Sequence, residues 1–250
     1  ARFDILRELS ESDERAVLAM ARRRKFRHNE AIFREGDPGD SVHLIDKGHV
    51  AVRLTTPAGE VATLRILGPG DLFGELAVLD PGPRMATTVA LDAVETLSLH
   101  RTVVDQLRAD HTSVDRVLLT ASQREVRRLS AALSEVLYTS VPTRLARHLV
   151  RLAEVFAGDV LPLTQDDLAG LCGTTRQTAN QVLQELQAAG VVVLGRGKVT
   201  IVDHAHLARG ARAVFAVAAH RRLTIAGGDR APARARAEPA LTVRAHLSIG

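Results

Sequence analysis

Residues 164–186 read Thr164-Gln165-Asp166-Asp167-Leu168-Ala169-Gly170-Leu171-Cys172-Gly173-Thr174-Thr175-Arg176-Gln177-Thr178-Ala179-Asn180-Gln181-Val182-Leu183-Gln184-Glu185-Leu186, two helix beginnings separated by a glycine. Thr164 offers a hydroxyl cap, and Asp166 and Asp167 place acid in the first turn, where the helix dipole favours it. Leu168, Ala169 and Leu171 form an apolar face that stops at Gly173, where a tight turn needs a residue without Cβ. Thr175 then caps a second helix, polar at its start and running to Leu186. Helix, short glycine turn, helix is the helix-turn-helix arrangement, whose second helix can enter a DNA major groove. An ordinary αα-hairpin is the plain alternative. Gly190 ends the pair, and Val191 to Leu194 with Lys198 to Val202 form a hairpin around Gly195-Arg196-Gly197. The expectation is a winged helix.

Upstream, Tyr138 to Pro142 breaks a long helical run, and Pro142 suits the first turn of the next helix. Before the break, Leu119, Ser122, Val126, Leu129, Leu133 and Val136 recur at steps of three and four, flanked by Arg124, Glu125, Arg127 and Arg128. That is an a/d seam, which predicts a parallel homodimeric coiled coil. A helix packed on its own barrel is the other reading. Further back the period changes to two. Ile32, Val42, Leu44, Val50, Val52 and Leu54, then Val61, Leu64 and Ile66, then Val89 to Leu99, alternate with polar residues between glycine-rich turns. Thr56-Pro57-Ala58-Gly59 reads as one hairpin turn. Many short strands at this spacing predict a small antiparallel barrel or roll. Ahead of it, Ser12-Asp13 is expected to cap a short helix carrying Val17, Leu18 and Ala21.

Charge separates the parts. Residues 1–140 balance at −2, 141–204 at zero and 205–250 at +6, so the basic excess lies in the tail. Thirty arginines against three lysines reflect mainly GC-rich coding. The tail's arginines nevertheless suffice to touch phosphates outside the recognised bases. Within the tail, His206 to Arg222 reads as helical, Gly227 to Pro239 as mobile and Leu241 to Ile249 as a strand. One cysteine, Cys172, excludes an intrachain disulfide and an iron–sulfur cluster ligated by one chain. It reads as a small buried hydrophobe, with oxidation or nitrosylation next to the turn as the functional alternative. His204-Ala205-His206 lacks further ligands, and no metal is expected. With no Trp and one Tyr, a cage for single-stranded nucleic acid is excluded. Neither a membrane span nor a signal peptide is evident, and no catalytic spacing or P-loop is present. The expectation is a soluble, cytoplasmic protein that is not an enzyme.

Three motifs together resemble the cAMP receptor protein/Fnr family of bacterial transcription regulators, especially its actinobacterial branch, over about residues 30–205. They are Glu35-Gly36-Asp37-x-Gly39-Asp40, Gly70-Asp71-x-Phe73-Gly74-Glu75-Leu76-x-x-x-Asp80-Pro81-Gly82-Pro83-Arg84, and Thr164 to Leu186. The resemblance implies that Gly74, Glu75, Leu76 and Arg84 form a cyclic-nucleotide cassette. Gly74 admits close backbone approach, Glu75 can accept a ribose 2′-hydroxyl, and Arg84 can fork onto a cyclic phosphate. An internal Glu75–Arg84 ion pair closing a vestigial pocket is the alternative.

Departures weigh on that choice. Met85 stands where nucleotide-binding members usually carry Ser or Thr, and Leu129 stands where they place a Thr against the adenine. Ser130, one residue on, remains a hydroxyl partner from the opposite subunit. Glu125 occupies a position that is often Arg. The sequence therefore leaves cAMP binding and nucleotide-independent DNA binding both open. On the DNA side the resemblance places Arg176, Gln177 and Gln181 toward the groove, with Thr175, Asn180, Arg196 and Lys198 completing the contact set. The expected protein is α+β: an antiparallel β-roll (1–109), a dimerisation helix and hinge (110–140), a winged helix (141–204) and a basic extension (205–250). Its expected partners are a second copy, double-stranded DNA with a two-fold-symmetric site, and RNA polymerase. A ligand-binding or protein-interaction module with weak DNA affinity is the competing class.

Overall fold

The computed structural model describes residues 3–56, 59–80 and 82–212. The middle of the Thr56–Gly59 turn, Pro81 and everything expected beyond residue 212 lie outside the described residues.

A 3-10 turn (Asp4–Glu8) and α1 (Glu11–Met20) open the chain. The cap of α1 is Ser10, not Ser12-Asp13. Its Oγ accepts from the Asp13 amide at 3.1 Å, which puts Glu11, Asp13 and Glu14 in the favourable first turn. Eight strands follow: β1 (Arg22–Phe26), β2 (Ala31–Phe33), β3 (Ser41–Lys47), β4 (Val50–Thr55), β5 (Val61–Leu67), β6 (Leu72–Phe73), β7 (Thr87–Ala90) and β8 (Val94–His100). They form two four-stranded antiparallel sheets, ordered β1-β8-β3-β6 and β2-β7-β4-β5. Phe26, Ile45, Phe73 and Val94 from the first sheet meet Val50, Leu67 and Ala90 from the second. The roll is built on this cluster.

Strand β3 departs from simple alternation, because Val42, His43, Leu44 and Ile45 are all buried. Ile45 faces the roll interior. Val42 packs against Val17 of α1 and Val104 and Leu107 of α3 (Arg101–Asp110), and Leu44 packs under the 3-10 turn. Strand β1 was not expected from the sequence. Its Arg22-Arg23-Arg24-Lys25 has no apolar alternation, yet it pairs in register with β8 from Arg22↔Ser98 to Phe26↔Val94. Arg23 is neutralised by Asp46 at 2.6 Å and Glu95 at 2.7 Å.

Helix α4 (Ser113–Tyr138) divides along its length. Val114, Val117 and Leu118 are buried on the roll, whereas Leu119, Val126, Leu129, Leu133 and Val136 are exposed in the single chain. The run is thus anchored at its start and carries the unpartnered apolar seam beyond. After Ser140 comes α5 (Val141–Val155), with Pro142 in its first turn. Then follow β9 (Val160–Leu161), α6 (Gln165–Cys172), α7 (Arg176–Ala188), β10 (Val192–Gly195), β11 (Lys198–Ile201) and α8 (His204–Arg212). The wing is a three-stranded sheet, β10-β11-β9, in which β9 is an addition to the expected hairpin. Helix α8 packs Leu207 and Ala211 into the core around Leu145 and Leu149 of α5, so the expected extension begins inside packed structure.

Two devices tie the parts together. One apolar cluster includes Ala51, Ile66 and Leu91 of the roll together with Leu145, Leu168 and Leu183 of the C-terminal half. The second is Arg144, which is buried and donates to the carbonyls of Val136 (3.0 Å), Thr139 (2.7 Å) and Cys172 (2.8 Å). It satisfies orphan carbonyls at the ends of α4 and α6 at once.

Candidate nucleotide pocket and DNA-reading surface

Strand β6 delivers the loop before α2 (Leu76–Leu79), because Phe73 pairs with His43 on β3. The chain then reverses at Gly74, whose φ of 83° favours glycine. A Cβ at this position would also collide with Arg84 and the Ser41 carbonyl. The two glycine-rich motifs are stitched to each other. The Arg84 amide donates to Asp37 O (2.8 Å), and the Gly36 amide to Arg84 O (2.9 Å). Gly39 sits where a Cβ would strike Ala77 and the Gly82 carbonyl, so close packing explains that glycine.

Within this frame Glu75 is buried, and no side-chain donor or ion pair meets its carboxylate among the described residues. Burial pushes its carboxyl above the usual range against a backbone hydrogen bond that lowers it; the nearby Glu125 adds to the rise, while Arg65 and Arg84 oppose it. Arg84 is also buried. Its Nη1 donates to Gly74 O at 3.1 Å and its Nη2 to Ser41 Oγ at 3.0 Å, with Asp40 at 3.4 Å. The guanidinium carbon lies 4.0 Å above the Phe33 ring, and Nε has no partner. The expected alternative of a Glu75–Arg84 ion pair is therefore corrected. Backbone, hydroxyl and aromatic face hold the arginine, and Glu75 is left for another donor.

The remaining members of the pocket are placed as follows. Leu76 and Met85 are exposed, Met85 at 71%. Leu129 is half exposed, and Ser130 donates to Val126 O at 2.9 Å within its own helix. A single chain does not bring Ser130 to Glu75. Glu125 is held by Arg128 (2.6 Å) and by Arg65 of β5 (3.1 Å), which keeps its carboxyl below the usual range and ties α4 to the roll. Phe33, Ser41 and Asp40 belong to the arginine's surroundings and were missed from sequence. Asp40 lies in the first glycine motif, but no local pattern marks Phe33 or Ser41 or shows that any of the three reaches Arg84.

The helix-turn-helix forms by local chemistry. Thr164 and Asp167 make a reciprocal capping box on α6, Gly173 is left-handed with φ of 57°, and Thr175 Oγ1 accepts from the Thr178 amide at 3.2 Å. Ala179, Val182 and Leu183 bury one face of α7. Thr175, Arg176, Gln177 and Gln181 are exposed on it, as are Arg196 and Lys198 of the wing. Asn180 differs, because it is half-buried with its Oδ1 enclosed and unpartnered. Arg176 rests on Asp166 at 3.3 Å and Gln181 on Glu185 at 3.3 Å, both at the surface where DNA can exchange them. Cys172 is fully buried, and desolvation pushes its thiol up to about 12. At neutral pH that thiol is protonated and unreactive, which supports the packing role over redox sensing. His204 pairs with Asp159 at 2.7 Å, and no group of three or more His, Cys, Asp or Glu is placed to hold a metal among the described residues.

Asp167 also reaches beyond its own helix. Its Oδ1 accepts from Thr63 Oγ1 (2.7 Å) and Arg53 Nη2 (3.0 Å) of the roll, while Oδ2 serves Thr164. Gly170 lies so close to Thr63 that a Cβ would strike its backbone. His49 adds a contact to the Val155 carbonyl (3.1 Å) and packs on Phe156. The first helix of the DNA-reading pair is thereby docked on the β4–β5 hairpin.

A sensing roll joined through one long helix to a winged helix-turn-helix defines a class of protein, the one-chain transcription regulator. Residues 23–111 match the cyclic nucleotide-binding domain family, and residues 143–209 match the Crp-like helix-turn-helix domain. The chain is 35% identical over 194 residues to the CRP-like cAMP-activated global transcriptional regulator of Mycobacterium tuberculosis, covering 75% of this chain and 87% of that one. It is 34% identical over 191 residues to the cyclic AMP receptor protein of Thermus thermophilus, covering 76% and 88%. The crystal structure of the Thermus thermophilus catabolite activator protein covers 83% of this chain and 97% of its own, at 32% identity and a TM-score of 0.50. The chain belongs to the Crp/Fnr family and is a DNA-binding transcription regulator. Among the described residues no helix is long and apolar enough to cross a membrane.

Proposed function

We propose that this regulator works as a cytoplasmic homodimer that binds cAMP in its roll and reads a two-fold-symmetric operator, acting on RNA polymerase. Glu75 takes the ribose hydroxyl, Arg84 the cyclic phosphate, Gly74 and Leu76 shape the floor, and Ser130 of the second copy closes the pocket. The working parts are the roll (1–109), dimer helix and hinge (110–140), winged helix (141–204) and extension (205–250). Arg176, Gln177 and Gln181 read bases, while Thr175, Arg196 and Lys198 hold phosphates. Asn180 backs the reading helix.

The observation that carries the ligand is the Glu75 carboxylate, buried with a backbone hydrogen bond but no side-chain donor among the described residues, near the buried Arg84. Buried polar groups normally have partners, and a ribose hydroxyl supplies one. Relatives named for cAMP point the same way. Met85 and Leu129 offer no donor, and this favours a second reading in which DNA binding proceeds without nucleotide. Calorimetry with cAMP, followed by operator binding with and without it, tests both. Absence of heat with wild-type protein and equal heat with Glu75→Gln each overturn the nucleotide reading.

A further inference from the structure

A cavity of about 460 Å³ opens in the roll between β1, β2, β3 and β8. That volume lies in the range of small-molecule sites, roughly 300–1,000 Å³. Neither Gly74, Glu75 or Leu76 nor any residue of α4 lines it, and Arg84 is its one residue in common with the nucleotide cassette. Its polar wall is cationic. Arg22 and Arg24 project from the edge strand, Arg84 is buried beneath, and Asp40 is the one carboxylate in the lining. Ser41, Ser98 and Thr102 supply hydroxyls.

The β1 register explains the division of labour on that strand. Arg23 and Lys25 point to the face where Asp46 and Glu95 neutralise them. Arg22 and Arg24 point to the opposite face, into the cavity, as strand geometry requires. Between them and Arg84 sits His43, stacked on Phe73 and bonded to Thr96 Oγ1 at 3.1 Å. Burial first, then the positive charges of Arg84 and Arg24, lower its pKa to about 4. Two arginines thus act on one buried ring, and the single carboxylate of Asp40 opposes them only in part. The other wall is apolar, made of Met20, Phe26, Ile32, Phe33 and Val103.

We propose that this cavity is a second ligand site, separate from the nucleotide cassette, for a small organic anion. Its phosphate or carboxylate head lies between Arg22 and Arg24, and its apolar body lies against Phe26, Ile32 and Phe33. Arginine forks suit either head. The apolar wall distinguishes such a ligand from a bare counterion.

Calorimetry on the full chain tests it, with phenyl phosphate, benzoate and inorganic phosphate as probes. Phenyl phosphate or benzoate should bind, and inorganic phosphate should bind at least several-fold more weakly. The Arg22→Gln/Arg24→Gln double variant should lose about tenfold or more, as expected for removed charged hydrogen bonds. It should keep its cAMP isotherm, which verifies that the roll is folded. Failure of both aromatic probes to bind, equal affinity for all three anions, or an unchanged double variant overturns the proposal. So does loss of probe binding in Glu75→Gln, which would put the probe in the nucleotide cassette. Loss of cAMP heat with intact phenyl phosphate heat would defeat the nucleotide reading alone.

Discussion

The helix-turn-helix and the nucleotide pocket occupy one chain and are finished to different degrees. In the first, the helix starts and the turn are set within the segment itself: Thr164 with Asp167, Gly173 left-handed, Thr175 on Thr178. In the second, among the described residues, Glu75 has no side-chain donor, the Arg84 Nε lacks a partner, and Ser130 bonds to its own helix. A DNA-reading helix must be rigid before it meets DNA. A sensor must hold something unsatisfied for its ligand to satisfy, since a ligand shifts a population only through differential affinity. The two regions differ because one is a tool and the other a switch.

Asp167 is where the comparison can be broken most severely, because it joins the helix-turn-helix to the roll that carries the pocket. Asp167→Ala removes the capping box and strands Arg53 and Thr63. A lost cap and a broken, largely buried charged network together predict about 2–4 kcal/mol of lost stability, read by denaturant unfolding. Arg53→Ala, at a partly exposed position, should cost about 1 kcal/mol or less. Burial by itself would raise the Asp167 carboxyl, but hydrogen bonds from Thr63 and Thr164 and the charge of Arg53 leave it below the ordinary 3.8. With the folded pKa depressed, the contribution is complete above the unfolded aspartate value and is lost as pH falls through the lower, folded one. Asp167→Asn should lack that acid-limb loss. A parallel acid profile in both proteins would place the docking energy elsewhere.

Arg176 sharpens the comparison from the DNA side. It is exposed, leads α7 and can turn from Asp166 onto a guanine edge. Arg176→Ala should weaken operator binding by about 1–3 kcal/mol and relax preference at one base pair per half-site. Gln177 and Gln181 suit adenine better than they suit the amino group of cytosine, so the half-site should differ from that of relatives carrying acidic and basic residues there. Selection from random DNA reads both effects. Recovery of the unaltered family site with full preference would remove Gln177 and Gln181 from base reading.

Legibility in the sequence followed the same divide. The winged helix was readable because its signals are local: caps within three residues, a glycine at each turn, and helical spacing of Ala179, Val182 and Leu183. The glycine motifs of the roll were readable as loops, but what surrounds Arg84 was not. Phe33, Ser41 and Asp40 lie more than 40 residues earlier and meet it through sheet pairing. The run Arg22 to Lys25 shows no strand signal of its own, because its strand character comes from β8, with Glu95 and Asp46 supplying the counter-charge. The bonds from Thr63 and Arg53 to Asp167 span 104 and 114 residues, beyond any periodicity. Buried polar chemistry that crosses domains leaves almost no local trace.

The smallest expected effect tests the switch itself. Leu129 is half exposed on the unpartnered seam of α4, where a second copy is proposed to pack. Burying a leucine there stabilises by about 1.5–3 kcal/mol per side chain relative to exposure. That is comparable to the gap separating two switch states, so seam burial can supply much of the bias a nucleotide would otherwise supply. The unmodified dimer should therefore bind its operator without nucleotide, and cAMP should change that affinity by only a few-fold. Leu129→Thr combined with Met85→Ser restores a hydroxyl at each departed position and removes the apolar bias. The double variant should bind operator more weakly alone and respond to cAMP more strongly, as titrated by fluorescence anisotropy on labelled operator DNA. If the unmodified protein is silent on its operator until micromolar cAMP is added, Leu129 has not preset the dimer, and the pocket works through Glu75 and Arg84 despite the missing hydroxyls.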